Sequence, residues 1–276
     1  MAPDLFSLHR PRTDVLVLCY HAISEGWDSP LAVTPDDLEQ QVGFLLNHGY
    51  VGATFAQALT APPASHTLVV TFDDAYASVL DLAAPILARA SVPATLFVPT
   101  QLVDLPGPMS WPGIEHWVGT PHEDELLPMG WDGVAQLAEA GWEIGAHTRT
   151  HPHLTQLDDA TLDAELRGSR EEVEERLGRP CPSIAYPFGD VDQRVMAAAD
   201  AAGLRFGALL PNSRDPWPAA LPLGWPRIGV YPGTGHAAFA RETSFALRRL
   251  RASAVLGPAI KAGKVKSQLR RLRRAT

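Results

Sequence analysis

The strongest constraint on the fold is an alternation. Short apolar runs suited to buried strands recur along the chain, each followed by a segment with helical spacing. Val15–Tyr20 is the first such run, and Thr34-Pro35-Asp36-Asp37 then opens a helix, with Thr as N-cap and Pro in the first turn, that stops before Gly49. Leu68–Phe72 is a second strand, followed by a helix from about Ala77 to Ala90, and Ala94–Val98 is a third. The pattern resumes with a helix near Trp131–Ala140 and a strand over Trp142–Ala146. A charged helix over Asp158–Leu177 and a strand over Ser183–Tyr186 follow, then a helix over Asp192–Ala202 and a strand over Arg205–Leu209. Strands alternating with helices predict βα units on a mostly parallel sheet. About seven units in one chain favour an α/β barrel, closed or nearly closed, over an open sheet. Only Asp104 to Met129, rich in Pro, Gly and Trp, is too long for an ordinary connection, which predicts a functional surface loop.

Composition agrees with a single packed domain. The chain has 276 residues, 46% of them hydrophobic, enough to bury a substantial core. Two cysteines, Cys19 and Cys181, are too few for a disulfide scaffold and read as buried thiols. The net charge of -8 conceals an asymmetry. From Leu247 to Thr276 there are ten Lys or Arg and no acid, so the other 246 residues carry 13 bases against 31 acids. Such an acidic body excludes nucleic acid as a partner, because little there would neutralise phosphates. The expected division is a barrel over 1–246 and a basic tail over 247–276. The tail has two readings: a peripheral contact with anionic membrane, or a solvated segment. No apolar run long enough for a secretory h-region or a membrane span is present, so the expectation is a cytoplasmic protein, peripheral to the inner membrane face if the tail binds lipid.

In a βα barrel the working residues lie at the C-terminal ends of strands. The first strand ends in Tyr20-His21, the second in Thr71-Phe72-Asp73-Asp74. The strand after the long loop ends in His147-Thr148-Arg149-Thr150-His151, and the next in Ala185-Tyr186-Pro187-Phe188-Gly189. Each has an ordinary alternative. Asp73-Asp74 suits a helix cap, a lone pair of histidines four apart is often incidental, and His21 suits a half-buried core position. Together, two carboxylates and three imidazoles at one mouth point to chemistry. One carboxylate and two imidazoles make a zinc set with a fourth position left for water, and the second carboxylate is then free to act as a base.

These segments resemble the polysaccharide deacetylases, carbohydrate esterase family 4. Thr71-Phe72-Asp73-Asp74-Ala75 is similar to the first motif of that family, His147-Thr148-Arg149-Thr150-His151 to the second, and Ala185-Tyr186-Pro187-Phe188 to the third. The resemblance runs from about Val15 to Tyr231. It implies a deformed (β/α)7 barrel and a divalent metal, usually zinc, held by Asp74, His147 and His151. It also implies Asp73 as catalytic base, with Phe188, Tyr186 and Arg227 on the oxyanion and substrate side, the Phe188 N–H being the oxyanion donor. The late Leu-x-His that usually supplies the general acid is missing from Leu221–Arg227. In one branch, which includes enzymes acting on poly-N-acetylglucosamine, an N-terminal Tyr-His replaces it, and Tyr20-His21 matches that arrangement, making His21 the acid.

The sequence departs from the family twice. Ala75 stands where Gly is usual, which matters only if the turn needs a positive φ. Ala185 stands where an Arg usually orients the catalytic Asp; Arg227 is the candidate replacement, with a surface arginine as the other reading. The implied function is metal-dependent hydrolysis of the N-acetyl group of an amino sugar in a glycan or glycolipid, releasing acetate. The alternatives are an O-acetyl ester or other amide hydrolase on the same site, and a non-catalytic glycan-binding protein. Trp111, Trp117 and Trp131 flank the long loop as candidates for stacking on sugar rings, with core packing as the other reading, favoured for Trp131.

Overall fold

A computed structural model describes residues 14–211 and 221–252. The first strand, β1 (Asp14–Tyr20), is followed by a minor pair, β2 (Ala22–Ile23) and β3 (Ala32–Val33). Helix α1 (Pro35–Asn47) then leads through β4 (Val51–Gly52) and α2 (Phe55–Thr60) to β5 (His66–Phe72). A π-helical turn, Val79–Ala83, runs into α3 (Ala84–Arg89), and β6 (Ala94–Val98) follows. After the long loop come α4 (Gly130–Glu139), β7 (Glu143–Ala146), α5 (Asp159–Leu177), β8 (Ser183–Ala185), α6 (Gln193–Ala201) and β9 (Phe206–Leu209). The chain ends its described course in β10 (Trp225–Pro226), β11 (Ile228–Gly229), α7 (His236–Thr243) and α8 (Phe245–Ala252).

The main strands are parallel and ordered β10-β9-β8-β7-β6-β5-β1-β11, with β4 added beside the start of β5. The two ends of that order are neighbours in sequence. β10 pairs with β9, β11 pairs with β1, and only Arg227 separates them. One short stretch therefore bridges the seam and closes a barrel of seven staves, as the alternation predicted.

Alternating side chains divide the apolar core into two layers. Leu16, Leu18, Val70, Phe72, Leu96, Ile144 and Ile184 belong to a large cluster against the helices. Val17, Val69, Phe97, Ala185 and Ala208 fill the barrel interior with Phe55 from α2. The interior admits only small neighbours around Phe97: a Cβ on Gly145 would lie 2.6 Å from its ring. Helix α2, absent from the sequence expectation, plugs the bottom, where Phe55 N–H donates to Thr95 Oγ1 and Ala56 N–H to Glu143.

Local signals hold where they were legible. Thr34 accepts from the Asp37 N–H to cap α1, Asp158 accepts from Thr161 N–H to cap α5, and α5 ends on Gly178 in the left-handed region. The loop 104–129 is pinned by buried Met109, Ile114 and Leu126. Arg248 on α8 reaches the opposite end of the barrel from the strand C-termini and pairs with Asp14 at 2.7 Å. The basic stretch beyond Ala252 lies outside the described residues.

Candidate active site

A cleft of about 290 Å³ opens at the C-terminal ends of the strands. His21, Asp73, Asp74, His147, His151 and Arg227 all line it, as do Tyr186 and Phe188. The structure thus brings every predicted site residue to one place.

Backbone strain marks the segments that supply them. Six described non-glycine residues have positive φ; Asp74, Ala75, Thr148, His151 and Phe188 are five of them. Left-handed backbone costs such residues about 1–2 kcal/mol each and persists where the surroundings dictate it. Ala75, with φ of 59°, occupies a turn that does need the conformation glycine adopts freely.

The adjacent carboxylates face different partners. Asp73 follows β5, its N–H bonded to Tyr20 O at 3.0 Å, and receives both terminal nitrogens of Arg227 at 2.7 Å. Arg227 is 1% exposed, bonds Thr71 Oγ1 at 3.0 Å, and lies over the Phe97 ring. It is therefore an interior arginine, which excludes the surface reading. Burial alone would raise the Asp73 carboxyl, but the Arg227 charge and its hydrogen bonds outweigh it and hold the group below its ordinary value.

Asp74 Oδ1 instead lies 3.2 Å from His147 Nε2 and 3.4 Å from His151 Nε2, all three residues being buried. No hydrogen bond satisfies that oxygen among the described residues. His147 Nδ1 lies 2.9 Å from Ala185 O, an acceptor that holds a proton on Nδ1, so Nε2 is the nitrogen turned toward Asp74 and available to a metal. Ligands of a tetrahedral zinc at about 2.0–2.2 Å stand about 3.3–3.5 Å apart. The spacing, the orphaned oxygen and the His147 Nδ1 contact all fit a divalent ion held by these three residues at the cleft.

A third layer supports the imidazoles. Glu165 on α5 accepts from the N–H groups of Arg149 and Thr150 and from the Thr150 hydroxyl, clamping the loop between the two histidines. Its sequence signal was legible: a glutamate among Leu162, Leu166, Ser169 and Val173 on the buried face of a helix. Trp111 lies 4.3 Å from the His151 ring and Phe188 4.6 Å from it on another side.

A sequence model described as polysaccharide deacetylase matches residues 60–207, more than half of the chain. The chain belongs to the polysaccharide deacetylase family. It is 26% identical over 231 residues to YxkH of Bacillus subtilis, covering 81% of this chain and 74% of that protein. It is 24% identical over 203 residues to the poly-beta-1,6-N-acetyl-D-glucosamine N-deacetylase of Staphylococcus aureus, covering 67% of this chain and 65% of the relative. Among solved structures, the Streptococcus pyogenes deacetylase PplD in complex with acetate shares the fold with a TM-score of 0.68 at 21% identity, over 83% of this chain and 98% of PplD.

Within this family member some candidates take other parts. The Tyr186 hydroxyl is engaged by Leu223 O at 3.0 Å, so the ring lines the cleft while its polar end ties down the strand-connecting loop. Trp131 is buried on α4 beside Arg176, away from the cleft, whereas Trp111 and Trp117 line it. Cys19 is the buried thiol that its sequence predicts, and its Sγ also lies 3.5 Å from Asp73 Oδ2. The signal was its place two residues before His21.

Proposed function

We propose that this family member is a metal-dependent deacetylase that hydrolyses the N-acetyl group of an amino sugar in a glycan or glycolipid. The observation that carries the reading is the division between the two carboxylates, one on a fixed cation and one with an oxygen shared between two imidazole Nε2 atoms. A divalent ion held by Asp74, His147 and His151, zinc being the first candidate, would supply an activated water and polarise the acetyl carbonyl. Asp73 accepts the proton that the attacking water gives up, its charge maintained and its plane fixed by Arg227. The Phe188 N–H donates to the oxygen on which negative charge develops. His21, across the cleft-facing end of β1, protonates the departing nitrogen, which an amide requires because its anion is a very poor leaving group. Trp111 and Trp117 provide flat apolar surface for a sugar ring.

The named activity of the Staphylococcus aureus relative supports poly-N-acetylglucosamine as the first substrate to try. The test is acetate release from oligomers of N-acetylglucosamine, β-1,6-linked and β-1,4-linked, beside an O-acetylated sugar. Acetate and free amine in equal amounts, lost in His147→Ala, is the expected result. Ester hydrolysis with no amide hydrolysis would overturn the N-deacetylase reading.

The same proposal places the basic stretch 247–276 on anionic membrane, which would hold the barrel at the inner membrane face. No helix among the described residues is long and apolar enough to cross a membrane. Arg248 anchors the start of that stretch at the end of the barrel away from the cleft. Co-sedimentation with anionic vesicles should weaken on removal of residues 253–276; equal binding with and without them contradicts the contact.

A further inference from the structure

Cys19, His21 and Asp73 form a second cluster of metal-binding atoms. Cys19 lies near the end of β1 and His21 is the first residue after it, two positions on. The register of β1 on β5 sets Cys19 beside Thr71 and Tyr20 beside Phe72, which brings Asp73 next to His21. One ligand atom from each of the three lies within 4.8 Å of the others. The Cys19 thiol donates toward Asp73 Oδ2 across 3.5 Å. A tetrahedral ion bound at about 2.3 Å to sulfur and about 2.1 Å to oxygen spans about 3.6 Å between them, so the Cys19–Asp73 pair already has the spacing of two ligands, with His21 in reach as the third. Cys19 is buried, but half-buried His21 lies on the cleft and offers a way in.

We propose that Cys19, His21 and Asp73 are a second, lower-affinity metal site for thiophilic divalent ions, whose filling silences the enzyme. Binding exchanges the thiol proton, which passes to the buffer, for the metal, and a thiolate ligand selects zinc or cadmium over magnesium or calcium. Affinity falls below that of the Asp74 centre because Arg227 already neutralises Asp73 and repels a nearby cation. Excess metal would thereby occupy both residues to which the proposed reaction assigns proton transfer. Only this inhibitory consequence rests on the proposed function; binding itself does not.

The test loads the full-length protein with one equivalent of zinc and titrates it with cadmium, reading the cadmium–thiolate charge-transfer absorption and the bound metal. Wild type should take up a second ion with growth of that band. Cys19→Ser should show neither, while Cys181→Ser, altered at a thiol that bonds Ser183 O instead, should keep both. His21→Ala should weaken the second ion by at least about tenfold. Cadmium should suppress acetate release in wild type but not in Cys19→Ser, each measured against its own rate without cadmium. No band in wild type, or a band that persists in Cys19→Ser, overturns the site. His147→Ala separates the two claims: it should lose the first ion and retain the band, whereas retention of both ions would overturn the Asp74 centre and leave the second site standing.

Discussion

Asp73 and Asp74 are neighbours in sequence and equally buried, yet they occupy opposite electrostatic settings. Asp73 meets a guanidinium in a two-point contact inside the barrel, while Asp74 shares one oxygen between two imidazole nitrogens and hydrogen-bonds to nothing there. The left-handed backbone at Asp74 makes the divergence possible by turning the chain sharply after β5. The contrast shows how two identical side chains acquire different chemistry. A fixed cation keeps one ionised and oriented, and two converging imidazole nitrogens suit the other to be a ligand.

The predictions probe each arm of that contrast. The largest effect is expected at Asp73→Asn, which removes the base and leaves the imidazole arm intact. Steady-state acetate release should fall by about 10²–10⁴-fold. A comparable rate would assign the base elsewhere.

Arg227→Met attacks the same arm from its other end. Removing one partner of a buried ion pair typically costs about 3–5 kcal/mol, because the remaining charge is stranded. The sign with pH follows from the lowered Asp73 value. A carboxylate held below its ordinary value contributes stability that is present above the ordinary carboxylate range and lost as pH falls through the lowered folded value. In Arg227→Met burial loses its main opponent, so acid-induced unfolding followed by urea titration should move to higher pH. An unchanged acid profile would mean that Arg227 does not set the Asp73 charge.

Glu165→Ala tests the other arm. Two backbone N–H groups and a hydroxyl lose their acceptor, which should lower stability by about 2–3 kcal/mol. Metal affinity should weaken by about 10–100-fold, as for other supporting residues behind ligands. Isothermal titration with zinc measures it, and an affinity equal to wild type would show that the histidine loop holds its shape unaided.

The smallest effect is expected at Ala75→Gly. Relief of the left-handed backbone gains about 1–2 kcal/mol. A more flexible unfolded chain takes back about 0.4–1 kcal/mol, and the buried methyl about 0.8 kcal/mol more. The sum lies near zero, so the melting temperature should barely move. Ala75→Val, which cannot relax at φ of 59°, should be clearly destabilised.

The alternation of apolar runs and helical segments was enough to read the barrel, because both periods are local properties of the chain. The seam was not legible: β10 and β11 are two residues each, too short to carry a period, and their identity as one closing stave depends on partners more than 200 residues apart for β11 and β1. For the same reason the sequence left Arg227 between two readings, while its burial and its contact with Asp73 decide between them. Plug helix α2 has only six residues, too few to show a helical period. Glu165 and Cys19 were readable in principle, one as a charge on a buried helical face, the other as a thiol in register with His21. Neither signal has meaning until the opposing residue is known.

The central claim is that the two carboxylates divide the work, Asp74 holding metal and Asp73 moving protons. The most direct measurement is the zinc bound per chain, after dialysis against a limiting zinc buffer, in Asp73→Asn and Asp74→Asn. The account predicts a full equivalent in Asp73→Asn and almost none in Asp74→Asn. Equal occupancy in the two variants, whether both full or both empty, would contradict it.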